Sequence, residues 1–494
     1  EIQVDLDYES NKKKFDTKVE KARRYTQEHR SKVVIGVIYV LINITLYLWW
    51  AITFWNTPNM FVTVARGFGM VLNFNCALIL VPVLRNIITA LRGTFLHRFI
   101  PFDSNIMFHR RIGWVIAFAA TGHTMAHYMN YSLQDSPYAF AWGTLAGITG
   151  TLICWIMIVM YTTAIDAVRR RYYNVFWFSH HLFIGFFILL LLHGPRFWIF
   201  FTVPGIVYTV ERIFREVRGS AKTSVYQVQM HPSDVVELRM QKKKFNYKSG
   251  QYLYLNSPNL SFYEWHPFTI TSAPHEDFVS VHIRCVGPWT HGIRRLLAPE
   301  VEGVMIDVDQ VKGDDGRRLI RMDGPYGAAS EEVSDYKVLL LVGAGIGVTP
   351  FASILKDLLH KRKNSQQNKV QKVYFFWVCR EYAAFEWFQE LLRNWELEME
   401  ESGDSDFLSV NNYLTERMSK EKLAEFEAAK GLDPLTGLKS RTQFGRPDFD
   451  AVFDQLAEAH PDEKIGLFFC GPRILSKSLR AQCMKKSALG HGTK

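Results

Sequence analysis

The run FHRRIGWVIAFAATGHTMAH, residues 108–127, is apolar enough to lie in a bilayer yet carries three histidines, His109, His123 and His127. Ionisable side chains inside a membrane span are costly and are kept for a function. His109 and His123 stand fourteen residues apart, about 21 Å of helical rise and ~40° from one face. His109 and His127, eighteen apart, share a face better still. A second run, FSHHLFIGFFILLLLHGP at residues 178–195, holds His180, His181 and His193. Two facing helices, each with imidazoles at two depths, make a grip for two stacked haems with a histidine on either side of each iron. His180 and His193 are thirteen apart, ~140° out of phase on a straight helix. A bend or bulge is therefore required between them, or a re-aiming of His193 where Gly194-Pro195 ends the helix. The competing reading has these histidines hydrogen-bonding between spans or lining a proton path. Spacing leaves His123 against His127, and His180 against His181, open. Phe186, midway along the second run, stands either between two haems or in plain packing.

Outward from these runs lie four more apolar stretches, making six in all: about 33–55, 66–91, 106–129, 142–168, 176–194 and 197–213. Each is near the ~20 residues needed to cross a ~30 Å hydrocarbon layer. Arginines and lysines gather at alternate connections. Lys21, Arg23, Arg24 and Arg30 precede the first stretch and RGTFLHRFIPF (92–102) follows the second. Arg169-Arg170-Arg171 follows the fourth, and Arg212, Arg215 and Arg218 end the sixth. The other loops (56–65, 130–141, 194–196) are short and nearly uncharged. The positive-inside rule then puts both ends and the whole second half in the cytosol. The formal charge of +10 over 494 residues is thus spent on membrane orientation, and no nucleic-acid partner is implied. Six cysteines without CxxC spacing point to reduced thiols. The chain opens EIQVDLDYES, with no initiator methionine and no cleavable signal, and reads as a fragment or processed form. Asn130-Tyr131-Ser132 is a glycosylation sequon on the outer side, too close to the third stretch to be readily occupied.

From about Ser220 the pattern changes to short alternating runs such as SVYQVQM, QYLYLN and SVHIRCV, the mark of antiparallel strands. After Asp335 strands and helices alternate, with KVLLLV, KVYFFWV and IGLFFC as buried strands of an α/β nucleotide domain. Ser440 to Asp448 reads as a loop. His266-Pro267-Phe268-Thr269 ends a strand with a hydroxyl and aromatic set suited to a flavin, and Arg284 is placed for a pyrophosphate, with Trp289 and Thr290 beyond it; barrel packing is the plain alternative for the HPFT run. Gly343, Gly345 and Gly347 of GAGIG follow an apolar strand and open a helix, where backbone amides approach a dinucleotide phosphate. Gly324-Pro325-Tyr326-Gly327 and Cys470-Gly471-Pro472 flank that motif. Arg380 and Arg446 are candidates for the 2′-phosphate that separates NADPH from NADH, or are solvated loop charges.

With these residues in view, the chain resembles the NADPH oxidase family of the ferric reductase-like superfamily. HPFTITSAP, HIRCVGPWT, DGPYG, LVGAGIGVTPFASIL, FEWF, TGLKSRTQFGRP and FFCGP appear in family order, over about Ile35 to Cys483. The resemblance implies a six-helix transmembrane bundle, all-α, followed by a cytosolic ferredoxin-reductase-like module: an antiparallel β-barrel FAD domain and an α/β NADPH domain. The corresponding divisions are 1–30, 31–218, 219–334 and 335–494. It implies two haem b groups, FAD and NADPH, with O2 reduced outside to superoxide in an integral, multi-pass protein of the plasma membrane or an endomembrane. By the same likeness His109 and His180 ligate the inner iron and His123 and His193 the outer. His282 joins Arg284 at the flavin, and Thr349 and Pro350 join the NADPH set. Arg66 and His127 fall beside the outer haem, where a cation and a protonatable imidazole stabilise developing superoxide. Cys470 lies near the nicotinamide as a packing or positioning residue, since hydride transfer needs no nucleophile.

Three departures from the family stand out. The family's terminal flavin-stacking aromatic is missing at Gly492-Thr493-Lys494. No Ca2+-binding loop occurs, so regulation falls to partner subunits or to a Ca2+-binding region upstream. The outer loops are short enough to favour direct release of superoxide over peroxide. A ferric-chelate reductase of the same architecture is the rival enzyme. A six-span channel with a cytosolic nucleotide sensor is the rival of another class, and it lacks the basic residues at every third position that a voltage sensor needs.

Overall fold

The computed structural model describes residues 23, 25, 26, 29–57, 59–134, 141–297, 305–310, 312–313, 316–401, 406–416, 426, 428 and 431–490. The chain divides into two compact units, Glu1–Phe214 and Arg215–Lys494. The N-terminal segment expected over 1–30, the outer loop over 135–140 and the chain's last four residues lie largely or wholly outside the described residues.

The first unit is helical: α1 (Arg30–Thr53), α2 (Met60–Leu78), α3 (Arg85–Arg92), α4 (Asn105–Ser132), α5 (Leu145–Thr163), α6 (Tyr173–His180), α7 (Phe183–His193) and the start of α8 (Phe197–Gly219). Among the described residues five helical stretches are long and apolar enough to cross a membrane: Arg30–Thr53, Met60–Val83, Leu145–Thr163, Tyr173–His193 and Phe197–Gly219. The sixth expected stretch is α4. It is the longest helix, at 28 residues, but Arg110, Arg111 and its three histidines dilute its hydropathy. The unit's outer surface is apolar (Val37, Leu41, Phe118, Trp155, Ile188 and Val203 are all exposed), as a lipid-facing wall requires. This is a multi-pass membrane domain.

Two irregularities shape the bundle. α2 gives way to a 3-10 turn at Val81–Val83, with Pro82 inside it; Val83 N bonds Leu80 O and Leu84 N bonds Val81 O, so the carbonyl of Ile79 loses its helical partner. The span expected as one helix over 176–194 is two, α6 and α7, separated at His181-Leu182. There the backbone bonds shorten to i→i+3: His181 N to Phe178 O, Leu182 N to Ser179 O and Ile184 N to His181 O. Tightening the turn re-phases the helix beyond it. That is the bend the 13-residue spacing of His180 and His193 demands. Inside, Phe186 and Phe187 pack with Ile112, Ile116 and Ile153 in the unit's buried core.

The second unit begins with two antiparallel sheets. One runs β5-β2-β1-β6 and the other β4-β3-β7, from β1 (Thr223–His231), β2 (Val235–Lys242), β3 (Tyr252–Asn256), β4 (His266–Thr269), β5 (Val279–Arg284), β6 (Met305–Gln310) and β7 (Arg321–Tyr326), with α9 (Pro288–Leu297) beside them. Inward-facing Val228, Met230, Leu238, Leu253, Val281 and Met322 are fully buried in one core, worth roughly 1.5–3 kcal/mol per large side chain. Asp323, buried, accepts from Arg218 Nε at 2.8 Å and from Tyr326 Oη at 2.5 Å.

A doubly wound domain follows: β8 (Val338–Ala344), α10 (Thr349–Lys363), β9 (Lys372–Cys379), α11 (Glu386–Glu401), β10 (Leu408–Leu414), β11 (Gln443–Phe444), α12 (Phe449–Ala459), β12 (Ile465–Cys470) and α13 (Arg473–Gly490). All pairings are parallel and the order is β11-β10-β9-β8-β12. The two residues of β11 fall within the run expected to be loop; they add to the edge of β10 through Tyr413↔Gln443 and Leu414↔Phe444. The order reverses beside β8, so the crevice for a ligand opens between β8 and β12.

Candidate active site

α4 carries one member of each imidazole pair. His109 faces His180 with ring centroids 6.3 Å apart, and His123 faces His193 at 6.2 Å. Imidazole–metal bonds of about 2 Å on either side, each ring centre ~1 Å behind its nitrogen, ask for about 6 Å. Three of the four rings are held by backbone. The Nδ1 of His109 donates to Ile79 O (2.9 Å), the carbonyl freed by the Pro82 turn, that of His123 to Ala65 O (2.8 Å) and that of His193 to Ala146 O (2.9 Å). Such second bonds fix the tautomer and leave the lone pair on Nε2. His180 Nδ1 is buried with no hydrogen-bond partner among the described residues.

Both members of the His123–His193 pair are received by the same device, which the sequence reading passed over. An alanine supplies the carbonyl and a glycine four residues later leaves room for the ring: Ala65 with Gly69, and Ala146 with Gly150. A Cβ at Gly69 would lie 3.6 Å from His123 Cε1, and one at Gly150 only 2.9 Å from His193 Cε1. The signal was an Ala-x3-Gly turn in each facing helix.

The histidines left open by spacing differ in their contacts. His181 stacks on Trp177 (centroids 4.0 Å apart) and turns its Nδ1 to Trp177 O at 2.7 Å, within its own helix. His127 lies one turn past His123, with ring centroids 4.6 Å apart. Arg66, on α2, covers the Phe54 ring with its guanidinium at 4.0 Å. Asn130 of the sequon is buried, its Oδ1 accepting from Asn59 Nδ2 (2.7 Å) and Gln134 Nε2 (3.1 Å), and that burial shields its side chain from glycan attachment.

In the second unit the flavin and nicotinamide motifs meet at one cleft of about 180 Å3, lined by Tyr252, Pro267, Phe268, Thr269 and Pro350 among others. β3 pairs with β4 through Tyr252↔Thr269 and Leu253↔Phe268. His266 stacks on Trp289 at 4.3 Å between centroids, and its Nε2 lies within hydrogen-bonding distance, 3.2 Å, of Glu264 Oε2. Trp289 is buried beneath β4, and Thr290 Oγ1 accepts the amides of Val286 and Gly287 (3.0 Å each), so these two brace the strand end. Arg284 is exposed at the end of β5.

Two residues expected at ligands also have partners inside the barrel. His282, expected at the flavin, is packed among Thr271, Glu237 and His231 on the other sheet. Tyr326, expected at the nucleotide, is buried with its hydroxyl between Asp323 and Arg218. Aromatic and polar side chains serve barrel interiors as well as ligands, and motif order alone does not separate the two.

The GAGIG run forms a 3-10 turn over Gly345–Val348 at the start of α10. Gly345 has φ +55°, with open space where a Cβ would stand, while a Cβ at Gly347 would meet Cys470 O at 2.3 Å. The turn therefore closes onto Cys470-Gly471-Pro472 at the crevice between β8 and β12. Thr349 Oγ1 donates to Ile346 O at 3.0 Å, which caps the turn. Burial pushes the Cys470 thiol up from its ordinary value; it stays protonated at neutral pH. Gly324 and Pro325 end β7 through a cis peptide bond. Arg380 follows β9 and Arg446 follows β11, both exposed at the carboxyl edge of the sheet, where nucleotide phosphates sit.

Comparison with known proteins supplies the remaining facts. Residues 66–191 match the family described as ferric reductase like transmembrane component, 220–330 a FAD-binding domain and 336–484 a ferric reductase NAD binding domain. The chain is 43% identical to a superoxide-generating NADPH oxidase heavy chain of Dictyostelium discoideum, over 93% of this chain and 95% of that protein. It is 35% identical to mouse NADPH oxidase 1, over 93% of this chain and 92% of that one. A ferredoxin NADP+ reductase from Neisseria gonorrhoeae covers 54% of this chain and 90% of its own at 14% identity, with a TM-score of 0.35.

Proposed function

This chain belongs to the NADPH oxidase family, and on that premise we propose that it carries electrons from cytosolic NADPH across the membrane to O2, releasing superoxide. The observation that carries the proposal is the pair of facing imidazoles at each of two levels along α4, 6.3 and 6.2 Å between centroids.

The residues fit the groups such an enzyme needs. The unpartnered, buried Nδ1 of His180 and the glycine recesses at Gly69 and Gly150 suit two haems, with His109 and His180 at the inner and His123 and His193 at the outer. The cleft under Pro267, Phe268 and Thr269 suits a flavin, with Arg284 on its pyrophosphate. When bound, FAD turns a two-electron hydride into single electrons and the haems relay these between the two faces of the membrane. The protein's own part is placement. Gly343, Gly345 and Gly347 admit the dinucleotide backbone, Pro350 brings α10 to the flavin-side cleft, and Arg380 and Arg446 pair the 2′-phosphate. Cys470 positions rather than reacts. Arg66 and His127 face the acceptor, where positive charge and a transferable proton favour reduction of a small neutral molecule to an anion.

The basic connections at residues 92–102 and 169–171 support an orientation with both ends in the cytosol. Exposed Trp49, Trp55, Trp142 and Trp198 gather at the opposite helix ends, as an interfacial aromatic belt does. The membrane, flavin and nucleotide portions divide near residues 218 and 334. With only Gly194-Pro195-Arg196 joining α7 to α8, superoxide has little cover under which to become peroxide.

The test is a pyridine haemochrome assay on the purified chain together with NADPH-driven cytochrome c reduction. Two haems per chain, and reduction abolished by superoxide dismutase, are expected. A colourless protein sinks the proposal, as does retention of both haems after replacement of His109, His123, His180 and His193. The ferric reductase reading, kept in view by the descriptions of two matching families, predicts dismutase-insensitive reduction of a ferric chelate by the same preparation.

A further inference from the structure

On the second unit, three ligand-type side chains outside the flavin and nucleotide sites converge. β2 pairs with β5 so that Glu237 stands opposite His282, and β1 pairs with β2 so that Gln229 stands opposite Glu237. His231, two residues on from Gln229, shares that face. The opposite face of these strands, with Met230, Val236, Leu238, Val281 and Ile283, fills the barrel core. The three polar residues therefore project outward. They are nonetheless buried, their side chains 11%, 8% and 11% exposed for His231, Glu237 and His282. Beyond that face lies the nucleotide-binding fold: Val235 belongs to its core cluster, and Ser353 of α10 donates to Ser272 O at 2.6 Å.

Two imidazoles aim Nε2 at the same carboxylate oxygen. His231 Nε2 is 3.4 Å from Glu237 Oε2 and His282 Nε2 is 3.9 Å from it; one ligand atom from each of the three residues lies within 4.8 Å of the other two. The first separation is long for a hydrogen bond and the second is beyond one. Both are close to the ~3.4 Å expected between atoms that share a tetrahedral ion through bonds of about 2 Å. Supporting contacts orient each group as metal ligands are usually oriented. Arg239 Nε holds the other oxygen, Oε1, at 2.8 Å, so that Oε2 alone faces the imidazoles. Thr271 Oγ1 lies 2.9 Å from His282 Nδ1, which holds the ring with its Nε2 toward Glu237.

We propose that His231, Glu237 and His282 bind one divalent ion of the zinc class, completed by a water, on the barrel face that the nucleotide-binding fold covers. Two imidazoles and one carboxylate suit Zn2+ and not Mg2+ or Ca2+, which require oxygen ligands in greater number. The ion would clasp β1, β2 and β5 together beneath α10. The proposal does not rest on the oxidase reaction and stands or falls apart from it.

The test uses the full chain in detergent with haem and FAD loaded, stripped with EDTA and then titrated with Zn2+ alone, with Co2+ as the spectroscopic stand-in. One equivalent of tightly held Zn2+ beyond the haem iron is expected, and a Co2+ absorption band of four- or five-coordinate strength. His231→Gln and Glu237→Gln are expected to lose that equivalent while keeping flavin and haem. Three results overturn the proposal: no Zn2+ retained by well-folded wild type, an equivalent unaffected by His231→Gln, or an equivalent lost in His360→Gln, which would move the ion to the stacked His275–His360 pair, whose centroids are 3.7 Å apart. The wild-type measurement decides the matter even if the Glu237 variant fails to fold.

Discussion

Replacing Gly150 by alanine puts the imidazole geometry under direct load. The new Cβ would stand 2.9 Å from Cε1 of His193 and 3.4 Å from its Nδ1, where carbon atoms in contact prefer about 3.5–4.0 Å. The ring must therefore retreat by roughly 0.6–1 Å. Its Nδ1 now sits 2.9 Å from Ala146 O and 3.1 Å from Thr149 Oγ1, both on the helix it would be leaving, so a retreat of that size stretches the first bond to about 3.5 Å and effectively breaks it. Overpacking of this kind costs about 1–3 kcal/mol, which at ~1.4 kcal/mol per decade weakens whatever the ring holds roughly 5- to 150-fold. Gly150→Ala should thus be purified with close to one haem per chain instead of two, by pyridine haemochrome, and with superoxide output lost in proportion. Two controls grade the effect: a Cβ at Gly69 reaches His123 only at 3.6 Å, and one at Gly185 reaches Ile156 at 3.7 Å, ordinary contacts both. If Gly150→Ala keeps two haems with an unaltered spectrum, or if the controls lose as much, the ring is not held where haem needs it.

Further outcomes are expected from other parts of the molecule. Arg380→Ala and Arg446→Ala each remove a charge-assisted contact worth about 1.5–3 kcal/mol, so KM for NADPH should rise roughly 10- to 150-fold with kcat and NADH kinetics little changed; steady-state kinetics with both nucleotides checks this. Lys242 is desolvated and crowded by Arg218, Arg318 and Arg321, which lowers its pKa to about 8 in spite of Asp323. Between pH 8 and 10 the unfolded chain keeps a proton that the folded protein has released, so the barrel's stability should rise with pH over that window. Lys242→Met should flatten the slope, read as thermal release of flavin fluorescence. Endoglycosidase treatment should leave the mobility of the chain unchanged and equal to that of Asn130→Gln, because the Asn130 side chain is buried inside the bundle.

Much of this architecture was legible because it is periodic. Long apolar runs, alternating strands and the Gly343–Gly347 turn each follow from a repeat that side-chain direction imposes. The histidine levels were legible too, and the 13-residue gap between His180 and His193 demanded the break now seen at His181-Leu182. What stayed hidden depends on contacts across the chain. Spacing did not separate His180 from His181, since the choice turns on Trp177 occupying one of them. Nor did motif order show that His282 and Tyr326 serve the barrel, since each lies beside residues far away in sequence. The third span, read from its apolar run at 106–129, is the least hydrophobic of the six, because Arg110, Arg111 and three histidines interrupt it. The two residues of β11 were read as loop, being too few to carry a pattern of their own.

The saddles under His123 and His193 have an implication for how this region tolerates change. Each ring leans on a main-chain oxygen, and no substitution at position 65 or 146 deletes a main-chain oxygen. Any residue that keeps the helix turning leaves the prop in place, so exposed position 146 can vary, while Ala65, fully buried, is bounded by its own packing and not by its oxygen. The burden falls instead on the neighbouring spots where nothing projects, and on Pro82, whose kink liberates the oxygen under His109. Engineers seeking to retune the grip would gain little by swapping the props themselves. Adding bulk at the empty spots, or straightening the kink, is where leverage lies.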